Sequence, residues 1–188
     1  MRAMDQLGVD IGFLVEMKLS GGIYTWHSSG YDILSLTVTL PSSGRIALFW
    51  RGNGSYEVKE TRVWGPNFIS LHLMMGVCQF YIVGCYIPPL NLTTLMCIRK
   101  AWSECPRGAH PILVGDLNIN LRALRTEHEE TIAEHVEIMG LVNMPRHFCH
   151  RLGKRLRGRW MWQMRREGRW ISSQCDYFLG RETNRRRF

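Results

Sequence analysis

The sequence predicts a mixed α/β domain built on more than one β-sheet. Three observations carry that expectation: apolar runs of strand length outnumber helical patterns, no G-x-G-x-x-G opens a βαβ unit, and no internal repeat is present. The 188 residues suffice for one domain with a sizeable core, and not for two. Hydrophobic content of 45% and charged content of 21% are ordinary for a globular protein and argue against disorder.

Taken in order, the elements are these. The run from Val9 to Leu19 carries Glu16-Met17-Lys18 near its end and precedes Gly21-Gly22, as a buried strand delivering a carboxylate would. Residues 31–40 alternate apolar and polar (Ile33, Leu34, Leu36, Val38, Leu40) and stop at the turn Pro41-Ser42-Ser43-Gly44. Residues 46–50 and 68–74 read as further strands. From Leu73 to Leu90 the chain is nearly all apolar, but Gly76, Gln79, Gly84 and Pro88-Pro89 interrupt it. A membrane-spanning helix needs about 20 apolar residues in helical geometry. The β-branched and aromatic residues of 79–86 predict a central strand instead. Asn91-Leu92-Thr93-Thr94 can cap a helix running to about Glu104. Pro111 to Val114 is an apolar strand ending at Gly115-Asp116. Thr126 to Met139 is the clearest helix, with Ile132, Ala133, Val136 and Met139 on one stripe and acidic residues in the first turn. Residues 175–179 form the last predicted strand.

A net charge of +8 favours polyanionic partners. Arg151, Lys154, Arg155, Arg157, Arg159, Arg165 and Arg166 crowd one stretch, interleaved with Trp160, Trp162 and Trp170. Basic side chains neutralise phosphates and aromatic rings stack on bases, so a loop around 151–169 is expected to lie along a nucleic-acid backbone. The competing explanation is a solvated charge run with core tryptophans. The six cysteines include no C-x-x-C pair, which disfavours a zinc ribbon, and His147, Cys149 and His150 are too bunched to surround one ion. The first residues lack an apolar h-region, so an intracellular, nuclear protein is expected.

Chemistry concentrates at the ends of strands. Glu16 closes the first, Tyr86 a central one, and Asp116 and Asn118 another. Burying an isolated carboxylate costs several kcal/mol, so acids at the ends of apolar strands are paired or held by a cation. Mg²⁺ takes one or two carboxylates plus water and phosphate oxygens, which makes this set a plausible phosphoester site. Each residue also has a plainer role: Tyr86 as a surface aromatic, Asn118 and Asn120 as turn formers, Glu16 in an ion pair with Lys18, Asp176 as a cap.

Four segments, Val-Glu-Met-Lys at 15–18, Gly-Cys-Tyr-Ile-Pro-Pro at 84–89, Gly-Asp-Leu-Asn-Ile-Asn at 115–120 and Cys-Asp-Tyr-Phe-Leu at 175–179, resemble in order and spacing the motifs of the endonuclease/exonuclease/phosphatase superfamily. Trp160-Met161-Trp162-Gln163 makes the likeness greatest to the endonuclease domains of non-LTR retrotransposons. The resemblance covers nearly the whole chain. It implies a deoxyribonuclease I-like four-layer α/β sandwich, two packed mixed sheets flanked by helices, as a single domain over residues 1–188. It further implies that the first strand-helix unit of the family and its last, His-bearing strand lie outside this chain. The implied activity is Mg²⁺-dependent hydrolysis of DNA, with Mn²⁺ able to substitute. Glu16 would ligate the metal, Asp116 orient or deprotonate the attacking water, and Asn118 hold that water or a phosphate oxygen. Tyr86 would bond the scissile phosphate, and Asp176 would align a catalytic imidazole. The alternatives are a catalytically dead nucleic-acid-binding remnant and a phosphoesterase for another phosphate ester.

Overall fold

The computed structural model describes residues 2–6, 8–15, 22–37, 46–65, 67–88, 93–121, 124, 126–143, 162–166, 169–173 and 176–181. Helix α1 (Arg2–Gln6) precedes β1 (Ile11–Val15), β2 (Gly22–Ser28), β3 (Tyr31–Thr37) and β4 (Ile46–Arg51). These four strands form one antiparallel sheet in the order β1-β4-β3-β2. Strands β5 (Glu57–Gly65), β6 (Phe68–Met75), β7 (Cys78–Tyr86), β8 (His110–Asp116), β12 (Asp176–Arg181) and β9 (Leu141–Asn143) form a second sheet in that order. Within it β7 and β8 run parallel. Helix α2 (Thr93–Ser103) makes the crossover between them that a parallel pair requires. Helix α3 (Glu127–Ile138) leads into β9, and β10 (Trp162–Arg166) pairs antiparallel with β11 (Arg169–Ser173).

Alternation along the strands assigns each face of the second sheet to a different core. Phe80, Ile82, Ile112, Ile69 and Leu71 meet Leu34, Ile46 and Leu48 of the first sheet. Tyr81, Val83, Cys85, Leu113 and Leu179 meet Leu95, Ile98 and Trp102 of α2 and Ile132 and Val136 of α3. The first sheet's outer face buries Tyr31, Ile33, Ala47 and Phe49 against Met4 of α1 and neighbouring residues. The layers are therefore helix, sheet, sheet, helix. Arg51 ties the outermost layer down, donating to Asp5 at 2.8 Å and to Asp10 at 3.0 Å.

Most elements lie where the periodicity puts them. Residues 126–139 form α3 with Thr126 as its N-cap. The Thr126 hydroxyl accepts from the Glu129 N–H at 3.2 Å, and the Glu129 carboxylate accepts from the Thr126 N–H at 3.0 Å. The apolar stretch after Leu73 is divided between β6 and β7 by a turn at Gly76-Val77. One expectation is corrected: part of the basic loop around 151–169 is strand, since Trp162–Arg166 pairs with Arg169–Ser173. Two sheets pack as expected, the one containing β1 antiparallel and the other mixed. Tyr86, 8% exposed, does not take the plainer role of a surface aromatic.

Candidate active site

Strands β7 and β8 end side by side. Their register sets Tyr86 opposite Asp116, and the register of β12 against β8 sets Asp116 opposite Asp176. Tyr86, Asp116 and Asp176 thus lie in one row across three neighbouring strands. At about 4.8 Å between strands, the row spans roughly 10 Å. Because Ile112 and Val114 face the inter-sheet core, as Phe80 and Ile82 do, Tyr86 and Asp116 fall on that same side.

Backbone geometry fixes this end of the sheet. Gly115 has φ +148°, and a Cβ there would meet the Cys85 carbonyl oxygen at 1.8 Å. Only glycine allows β7 and β8 to come this close just before Asp116. Gly84 accommodates the ring of Phe13 from β1, and any Cβ there would overlap it at 1.9 Å. Beyond Tyr86 the pairing continues for one residue, with the Ile87 N–H donating to the Asp116 carbonyl at 2.9 Å. The Ile87 carbonyl accepts from Asn118 Nδ2 at 2.8 Å.

Asn118 sits in the left-handed region at φ +50°, which asparagine tolerates better than most residues. Its N–H donates to Asp116 Oδ1 at 2.8 Å, closing a local turn. The turn-forming role and the site role therefore coexist in the same two residues. Since the Ile87 carbonyl can only accept, the amide nitrogen must face it, which turns Asn118 Oδ1 away from that bond. Leu117 and Ile119, each 1% exposed, anchor the following loop in the helix-side core.

Two further groups position this end of the sheet, one of them inside the Cys-Asp-Tyr-Phe-Leu segment at 175–179. The Tyr177 hydroxyl donates to the Ile119 carbonyl at 3.3 Å and accepts from the Leu121 N–H at 2.9 Å, pinning the loop after Asp116 from β12. The Asn67 carbonyl accepts from the Tyr86 N–H at 3.0 Å. Burial first, and the Asp116 carboxylate second, push the Cys85 thiol well above the ordinary range, which removes it as a nucleophile. Cys85 is a packing residue.

The other expected site residues fall elsewhere. Glu16 follows directly on β1 but lies outside the described residues, as do Arg151, Lys154, Arg155, Arg157 and Arg159. Trp162, Arg165 and Arg166 lie on β10, and Asp176 opens β12; only their backbones are described. The His147, Cys149 and His150 group is also outside. Among the described residues no cluster of three His, Cys, Asp or Glu is close enough to hold a metal unaided, and no helix is long and apolar enough to cross a membrane.

No protein-family model matches the sequence, and no curated protein does. Solved structures do match. The endonuclease domain of TRAS1, a telomere-specific non-LTR retrotransposon, superposes with a TM-score of 0.68 at 12% identity, over 97% of this chain and 77% of that one. An endonuclease/exonuclease/phosphatase family protein from Leptotrichia buccalis gives 0.67 at 10% identity, over 96% and 79%. D. rerio TDP2 complexed with single-strand DNA product gives 0.61 at 14%, over 96% and 74%. At such identities the likeness is one of architecture: the chain adopts the deoxyribonuclease I-like α/β sandwich fold that these structures share.

Proposed function

We propose that the chain is the greater part of a single endonuclease domain that hydrolyses phosphodiester bonds in DNA with a divalent cation. The observation that carries this is the row of Tyr86, Asp116 and Asp176, locked to Asn118 through Ile87. Four chemically useful residues, from three stretches far apart in sequence, share one sheet end. A packing role alone gives no reason for that.

The donors suit a hard cation. Asp116 offers carboxylate oxygen and Asn118 an amide oxygen turned away from Ile87, and Glu16, the residue after β1 in sequence, is the proposed second carboxylate. Mg²⁺, or Mn²⁺ in its place, would be held by Glu16 beside them and would compensate charge on the phosphoryl oxygens. Asp116 aligns the attacking water and accepts its proton as the oxygen–phosphorus bond forms. Asn118, whose nitrogen is held by Ile87, presents its oxygen to that water. The Tyr86 hydroxyl donates to a phosphate oxygen and so steadies the leaving side. Asp176 would align an imidazole, as the resemblance implies, although no histidine among these 188 residues is assigned to that place. Arg151, Lys154, Arg155, Arg157, Arg159, Arg165 and Arg166, with Trp162, hold the DNA backbone. An enzyme cutting genomic DNA in this way works in the nucleus.

The test is nicking of supercoiled plasmid in Mg²⁺. Asp116→Ala is expected to lower the rate by about 10³-fold or more. Undiminished nicking by that variant overturns the assignment.

A further inference from the structure

The opposite end of β8 carries a second feature that the proposed chemistry does not use. A cavity of about 500 Å³ opens there, lined by Arg99 and Trp102 of α2, Arg107 in the following loop, Met139 after α3, and Arg181 at the end of β12. At about 3.3 Å per residue along His110–Asp116, it lies roughly 20 Å from the Tyr86–Asp116 row. All three arginines are exposed at their tips. Among the described residues none of the three makes an ion pair, and no carboxylate lines the cavity. Arg181 stacks over the Trp102 ring at 5.8 Å.

A plain explanation is that the arginines neutralise the C-terminal ends of α2 and α3, which both reach the cavity. The magnitudes do not balance. Each helix end contributes about −0.5 of a charge, so two ends offset about one guanidinium of three. Among the described residues, roughly two positive charges then remain without a countercharge in one concave site. Trp102 is 7% exposed and forms part of the cavity wall, with its Nε1–H buried and out of contact with the open space. The cavity's volume falls in the range of small-ligand sites.

We propose that this cavity binds a phosphate group carried by a nucleotide or a nucleic-acid strand, at a site separate from the Tyr86–Asp116 row. The guanidiniums of Arg99, Arg107 and Arg181 supply charge and paired donors that match phosphate oxygens. The Trp102 ring backs the Arg181 guanidinium at 5.8 Å.

Calorimetric titration of the full chain in chelator, where no metal-dependent cleavage can occur, tests it with three probes: inorganic phosphate, thymidine 5′-monophosphate and a single-stranded oligonucleotide. Saturable binding of at least one probe is expected. Equal affinity for phosphate and the mononucleotide supports recognition of the phosphate alone, and tighter binding of the oligonucleotide supports a strand contact. Arg107→Gln and Arg181→Gln are each expected to weaken binding about tenfold. Lys100→Gln, on α2 but outside the cavity wall, is expected to leave it within about twofold. No saturable binding of any probe, or arginine variants that behave like Lys100→Gln, overturns the proposal. None of these readouts depends on Asp116, so failure of the nicking test leaves them unaffected.

Discussion

The two sheets of the sandwich are built to different standards. In the six-stranded sheet, β7 and β8 are packed on both faces, paired along both edges, and end in a row where backbone contacts are specified residue by residue. In the four-stranded sheet, β2 is an edge strand whose Ile23, Tyr24 and Trp26 stand 65%, 40% and 38% exposed. One sheet has little freedom to shift and the other has a loose margin. The candidate site lies where the freedom is least, as expected of side chains that must hold a geometry to within about 0.5 Å.

Substitutions can break or sharpen that contrast. The largest effect is expected from Gly115→Ala, which places a Cβ against the Cys85 carbonyl in a backbone region reserved for glycine. A loss of at least about 4 kcal/mol in urea unfolding is expected, and a loss below about 1 kcal/mol would mean that the end of β8 yields more easily than its geometry implies. Next is Ile69→Ala, a fully buried side chain between the sheets, expected to cost about 3 kcal/mol. The smallest is Ile23→Thr on β2, which keeps a β-branched side chain at an exposed edge and is expected to change stability by no more than about 0.5 kcal/mol. If the Ile23 change matched the Ile69 change, the margin would be as constrained as the centre, and the contrast would fail.

What was legible in the sequence follows the same division. Strands β7 and β8 announce themselves as apolar runs because both their faces are buried, and α3 through its stripe and capping box. The strand β2 was missed because Gly21-Gly22 reads as the end of a run and nothing in an exposed edge enforces alternation. Strand β5 hides for another reason: register shifts between Val58 and Glu60 and between Val63 and Gly65 break the two-residue period. Helix α1, at five residues, and β9, at three, are too short for any periodic signal. At the site, Tyr86, Asp116, Asn118 and Asp176 could be named from their motifs. The bond from Asn118 to Ile87 and the clasp of Tyr177 on the loop after Asp116 could not, since both join residues far apart along the chain.

The placement of β12 has a consequence for how the protein is made. This strand, near the end of the chain, inserts between β8 and β9, both completed much earlier in synthesis. A ribosome adding roughly 5–20 residues per second leaves the far edge of β8 open for seconds while the arginine-rich stretch emerges. During that interval Asp116 has its neighbour on one side and none on the other, and the bare edge invites pairing with any other nascent strand. The nascent chain is therefore exposed to misassembly at the very strand that bears its candidate chemistry, until β12 emerges and closes it.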